Sequence, residues 1–139
     1  MQDALKLVLN QLLDQVEFHE DFEEEGLREF LEKVSVVSVP VRNGEAFGIY
    51  LLECMVSGVP VVQPALGAFP EIVNLTKGGI IYEDNTPEVL AESLAKILSD
   101  PDELDRLSRK GVEGVEQHFH INVQAEQMVK IYEEAIQCF

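Results

Sequence analysis

The chain has 139 residues, 46% of them apolar, and a formal net charge of −16 from 26 Asp and Glu against 10 Lys and Arg. That length and apolar content suffice for a single hydrophobic core. The charge argues against nucleic acid and anionic membranes as general partners, no apolar run approaches the roughly 20 residues of a membrane span, and no signal peptide is visible.

In chain order, the first expected element is a helix over Ala4–Leu13, with apolar side chains at Leu5, Val8, Leu9 and Leu12. Glu17, Glu20, Asp21, Glu23, Glu24 and Glu25 follow. They lack the spaced oxygen ligands and glycine of a calcium loop and read as a solvated helix start. Glu24–Lys33 is that helix. Val34 to Pro40 is a β-branched apolar run and reads as a buried parallel strand. Residues 41–47 form a loop, and Gly48–Ser57 is long enough for about three helical turns. Gly58 and Pro60 end that helix. Val59–Val62 is a second short buried strand.

Thr86 and Asp100 read as helix caps, each followed by proline at the first turn. Leu104 and Leu107 are expected to face inward, and Gly111 and Gly114 to weaken that helix near its end. Asn122 is expected to cap the last helix, whose apolar side holds Val123, Met128, Val129, Ile131, Tyr132 and Ile136. Strand, loop, helix and strand in succession make a βαβ unit. The fold class is therefore α/β, a parallel sheet flanked by helices, in one domain.

Cys54 and Cys138 give no disulfide framework, which points to a reducing compartment, the cytoplasm. With His19, His118 and His120 far from them in sequence, no metal-ligand cluster is formed.

Chemistry concentrates in Asn43-Gly-Glu-Ala-Phe-Gly-Ile-Tyr-Leu-Leu-Glu53. Glu45 sits in a glycine-flanked loop, and Glu53 lies in a run that is otherwise apolar. Burying an unpaired carboxylate costs several kcal/mol, roughly. A chain retains one where a ligand needs it, and a carboxylate accepts two hydroxyl hydrogen bonds from a polyhydroxylated ligand. Ligands of open α/β sheets bind beyond the carboxyl ends of the strands, where loop 41–47 lies. The helix start near Phe47 and Gly48 offers free N–H groups suited to an anion such as a diphosphate. Two plainer readings stand beside this one. Glu45 is then a loop carboxylate facing the helix dipole, and Glu53 a core carboxylate satisfied by its neighbours.

Glu45-Ala-Phe-Gly48, Leu52-Glu53-Cys-Met55 and Gly58-Val-Pro-Val-Val62 together resemble the donor segment of retaining GT-B glycosyltransferases of family 4, with its E-x7-E spacing. Gly67-Ala-Phe-Pro-Glu71-Ile-Val, Gly78-Gly-Ile-Ile-Tyr82, the Thr86-Pro helix start and Gln117-His-Phe extend the likeness over roughly residues 16–137. The resemblance implies a Rossmann-like sheet, the C-terminal donor domain of such an enzyme. It implies that Glu45 binds donor-sugar hydroxyls and stabilises positive charge at the anomeric carbon. Ala46, Phe47 and Gly48 would hold the diphosphate through their amides, Glu53 the nucleotide ribose, and residues after Phe18, including His19, the base. The donor is a nucleotide-diphosphate sugar, and no metal or other cofactor is expected.

Ala46, Val41, Cys54, Gln63-Pro64 and His19-Glu20 depart from the family pattern. By the same resemblance the acceptor domain, the first two sheet strands and the basic G-R and K-G motifs are absent. Arg42 is the only Arg or Lys in the loop before Glu45. Val16–Phe18, the family's third strand, is then expected to move beside Val34–Val39, or a second chain, as in a homo-oligomer, to cover that edge. A non-catalytic nucleotide-sugar-binding or interaction module is the alternative function.

Overall fold

The computed structural model describes residues 15–17, 19 and 24–138. The expected helix over Ala4–Leu13 lies outside them. Eight elements are described: α1 (Glu24–Leu31), α2 (Ile49–Val56), β1 (Val61–Pro64), α3 (Phe69–Thr76), β2 (Gly79–Tyr82), α4 (Pro87–Leu98), α5 (Pro101–Phe119) and α6 (Ile121–Gln137). The fold is α/β: β1 and β2 run parallel, with Val61 opposite Gly79 and Pro64 opposite Tyr82. Alternation along β1 builds the two sides of the core. Val61 packs with Leu51, Met55, Phe69, Ile72 and Val73 of α2 and α3. Val62 packs with Tyr82, Ile97 and Leu107 on the opposite face.

The strand expected over Val34–Val39 is reduced to one parallel bridge between Val37 and Val61. Two prolines explain this. On that side of β1 the N–H donors would come from residues 60, 62 and 64. Val62 N–H does donate to Val37 O at 2.9 Å, but Pro60 and Pro64 have no N–H to give. Beyond the bridge a side chain takes over: Val39 N–H donates to Gln63 Oε1 at 3.2 Å. Val16 and Glu17 lie in no strand, so the expected pairing of Val16–Phe18 with residues 34–39 is not seen among the described residues. Phe18 itself is outside them.

The second strand starts two residues later than expected. Val59 is occupied in ending α2: its N–H donates to Cys54 O at 2.9 Å, while Gly58 N–H donates to Met55 O at 3.0 Å. That is a Schellman motif, and Gly58 holds its left-handed position at φ 79°. Thr86 and Asp100 cap as expected. Val89 N–H donates to Thr86 Oγ1 at 3.3 Å, and Glu103 N–H to Asp100 Oδ1 at 3.0 Å.

At the C-terminal helices one expectation is corrected and another gains a tertiary reason. Gly111 and Gly114 sit inside α5, which continues to Phe119. They let α5 press against the turn after α3: a Cβ on Gly114 would overlap the Thr76 backbone, and one on Gly111 would lie 3.2 Å from Met55 Cβ. The cap of α6 is His120 rather than Asn122, since Asn122 N–H donates to His120 Nδ1 at 3.2 Å. No residue of α6 is buried. Its apolar side, including Ile121, Met128, Val129, Tyr132 and Ile136, is exposed.

Gly114→Ala is expected to lower stability by about 2 kcal/mol or more, because backbone must move to admit the methyl group. Gly26→Ala in α1, where a Cβ meets nothing within 4 Å, should instead raise it by about 0.5–1 kcal/mol. Urea unfolding of both variants checks the pair.

Candidate functional site

Three loops converge at the carboxyl ends of the strands, and hydrogen bonds tie them together. Ala65 N–H donates to Tyr82 O at 2.8 Å, and Ala68 N–H to Glu45 O at 3.0 Å. Asn85 Nδ2 donates to Val41 O at 2.8 Å, and Tyr82 OH to Asn85 Oδ1 at 3.4 Å. A cleft of about 760 Å³ opens beside them, lined by Pro40, Arg42, Leu66, Tyr82, Asn85, Thr86, Pro87 and Leu90.

Glu45 joins this arrangement through its carbonyl and is half-buried, beside the cleft rather than in its lining. Gly67, at φ 55°, brings its own backbone against it. A Cβ on Gly67 would overlap Glu45 O and lie 2.6 Å from Glu45 N. The Glu45 carboxylate turns back onto its own loop. Ala46 N–H donates to Glu45 Oε1 at 2.9 Å, and Phe47 N–H reaches the same oxygen at 3.5 Å. Ala46 and Phe47 are exposed, and Gly48 is buried. Gly48 takes φ 80°, which favours glycine, as the residue before α2, and a Cβ there would be tight, at 3.3 Å from both Glu45 Cγ and a Phe69 ring carbon.

Glu53 corrects the sequence reading. It is exposed rather than buried, so the cost of desolvating a carboxylate does not apply to it. The run around it is apolar on two sides of the helix. Leu51, Cys54 and Met55 face the core, while Ile49 and Val56 are 59% and 51% exposed. Ile49, Glu53 and Val56 share the open face by their spacing of four and three. Glu45 and Glu53 thus sit on one loop–helix unit, one at its entrance and the other on its exposed side.

Cys54 is a small buried side chain, as expected, at 6% exposure. Burial, then the charge of Glu53, pushes its thiol up to about 11. It stays a neutral thiol and a poor nucleophile at ordinary pH. His19 lies against α1, its ring centroid 5.1 Å from that of Phe30 and its Nε2 3.3 Å from Glu17.

Tyr50 and Gln63 carry buried polar groups close to this loop–helix unit in sequence, and of the two only Gln63 stands out in the sequence, as a departure from the family pattern. Gln63 is fully buried. Its Nε2 and the Tyr50 hydroxyl are buried without a hydrogen-bond partner among the described residues. Burial raises the Tyr50 pKa most, followed by the Glu45 and Cys54 charges. The one signal available was polarity inside apolar runs. Asn85 gave no signal beyond its turn-forming type. Among the described residues no group of three or more His, Cys, Asp and Glu could hold a metal ion.

The sequence model for "Glycosyl transferases group 1" matches residues 3–113. The chain belongs to this family of glycosyltransferases. A D-inositol 3-phosphate glycosyltransferase of Saccharomonospora viridis is 33% identical over 104 residues, covering 75% of this chain and 24% of that protein. A phosphatidyl-myo-inositol mannosyltransferase of Mycobacterium leprae is 26% identical over 132 residues, or 95% of this chain and 35% of the relative. Among solved structures, sucrose-phosphate synthase from Thermosynechococcus elongatus superposes with a TM-score of 0.80 at 26% identity, over 99% of this chain and 35% of that one. The chain therefore spans about a third or less of these relatives. Its fold is that of part of the C-terminal domain of GT-B glycosyltransferases, and the chemistry of the family is glycosyl transfer.

In this glycosyltransferase fold Gly67 sets the distance between the two loops that meet at Glu45. Gly67→Ala is expected to cost about 2 kcal/mol or more and to speed hydrogen exchange at the Ala68 amide. Unchanged exchange there would show that the loops are held by something else.

Proposed function

We infer that this chain is the donor-binding part of a retaining glycosyltransferase of family 4 type. The whole reaction moves a sugar from a nucleotide-diphosphate sugar to an acceptor hydroxyl. The observation that carries this reading is the place of Glu45. It stands at the carboxyl ends of the parallel strands, on a loop packed backbone to backbone against Gly67, where open α/β sheets bind ligands.

In this reading the half-buried Glu45 faces the donor sugar and stabilises the positive charge that develops at the anomeric carbon. The amides of Ala46, Phe47 and Gly48 meet the diphosphate at the start of α2. The Glu53 carboxylate, exposed and without a side-chain hydrogen bond or ion pair among the described residues, accepts the ribose hydroxyls. Arg42, on the rim of the neighbouring cleft, is the one cation of the loop before Glu45. The acceptor is bound by a further domain or by a second chain, which also covers the exposed apolar side of α6. No cofactor besides the donor is called for. The free thiols of Cys54 and Cys138 suit the cytoplasm.

The second reading is a binding module without catalysis. The net charge of −16 favours it, because bulk electrostatics oppose a diphosphate and Arg42 alone answers it locally.

Calorimetric titration of the chain with UDP, GDP and ADP, and with a sugar adduct of each, tests the donor site. One nucleotide is expected to bind saturably, and Glu53→Gln to weaken it severalfold. No binding to any of them would remove the support for a donor pocket in this chain. In a complete enzyme carrying this domain, Glu45→Gln is expected to lower transfer at least tenfold, about 1.4 kcal/mol. Equal rates would refute the role of Glu45 and favour the second reading.

A further inference from the structure

The proposed donor site holds a contradiction in its present state. Two of the three amides assigned to the diphosphate are already in use. Ala46 N–H donates to Glu45 Oε1 at 2.9 Å, and Phe47 N–H approaches the same oxygen at 3.5 Å. An anionic oxygen therefore occupies the position that a phosphate oxygen would take, and the anion is the residue assigned to the sugar. Glu45 cannot serve both places at once.

The same region holds a donor with nothing to donate to. The Tyr50 hydroxyl is buried and has no hydrogen-bond partner among the described residues. Leaving such a group unpaired costs about 1–3 kcal/mol, and native structures rarely tolerate it without a reason. Tyr50 lies in the first turn of α2, immediately after Ile49. The Glu45 side chain lies across the same turn, since a Cβ on Gly48 would be 3.3 Å from Glu45 Cγ. Tyr50 thus follows by two residues the glycine against which the Glu45 side chain rests; burial first, and the Glu45 charge after it, raise the Tyr50 pKa.

We propose that a bound diphosphate displaces the Glu45 carboxylate from the Ala46 and Phe47 amides, and that the Tyr50 hydroxyl receives it. The inference rests on the donor-site reading above. Tyr50 is then a positioning residue. It gives the displaced carboxylate a hydrogen bond at the moment the phosphate takes the amides, and so holds Glu45 in the second of its two places. Glu45 has two roles in sequence: it occupies the amide pair while the site is empty, and it faces the sugar when the site is filled. Exchange of one anion for another on the same amides keeps their hydrogen bonds satisfied throughout.

The test follows the Ala46 and Phe47 amide resonances of the chain during titration with inorganic pyrophosphate. Wild type, Glu45→Ala, Tyr50→Phe and the double variant form a cycle. Glu45→Ala should bind at least fivefold more tightly, because the competing carboxylate is gone. Tyr50→Phe should bind at least threefold more weakly than wild type, yet change nothing in the Glu45→Ala background. Equal affinity of wild type and Glu45→Ala would overturn the displacement while leaving the donor site in place. A Tyr50→Phe effect of the same size in both backgrounds would make Tyr50 a packing residue and overturn its receiving role. If no variant shifts these two resonances, the displacement and the amide site fall together.

Discussion

The organisation of the site depends on a contact in which a side chain is missing. Gly67 and Glu45 meet through their main chains, with Ala68 N–H bonded to Glu45 O at 3.0 Å, and any Cβ at position 67 would overlap Glu45. This contact brings the chain leading into α2 and the chain leading into α3 side by side. Each loop follows a strand or a strand-like segment, so both lie at the same end of the sheet. Glu45 is thereby fixed by its backbone, and its carboxylate turns back onto the amides of Ala46 and Phe47.

The sheet beneath it is small, and the helices compensate. Pro60 and Pro64 remove two donors from one edge of β1, so the ladder toward Val37 stops after a single bridge. Stability then falls to helix packing. Leu51, Met55 and Phe69 are wholly buried, each contributing about 1.5–3 kcal/mol. The long helix α5 closes the layer. It can do so because Gly111 and Gly114 let its backbone come against Gly78 and Thr76. Ser108 Oγ, one turn earlier, donates to Gly58 O at 2.6 Å and ties α5 to the end of α2. The helix that bears Glu53 is thus held at its far end by α5 and at its near end by the Glu45 loop.

Much of this was legible in residue order. Helix ends announced themselves through Gly58, Thr86 and Asp100, because a cap is a local contract between a side chain or a glycine and nearby amides. The E-x7-E spacing put both glutamates on one loop–helix unit. What failed was anything that depends on a neighbour distant in sequence. Val34–Val39 has the composition of a strand, but whether it forms one is decided by prolines about 25 residues later. Gly111 and Gly114 read as helix weakeners until the partner they approach is known. Glu53 sits among apolar residues in sequence, yet an eight-residue helix has two sides, and Ile49 and Val56 accompany it on the open one. Tyr50 was hidden for the opposite reason: an aromatic in an apolar run reads as packing, and only its buried, unpaired hydroxyl marks it.

The charge of the chain sharpens the electrostatic problem at the site. At −16 overall, the proposed diphosphate ligand would approach against the long-range field, and screening over roughly 8–10 Å at physiological salt removes only the distant part of that repulsion. The attraction must come from short range, from amides at the start of α2 and from Arg42. Amides serve this purpose because their dipoles carry no net charge and need no counterion when the site is empty. With the loop as it stands, the Ala46 and Phe47 amides point to Glu45 Oε1 of the same loop. The acidic residue that opposes the ligand at a distance is, at contact, the group that keeps its place ready.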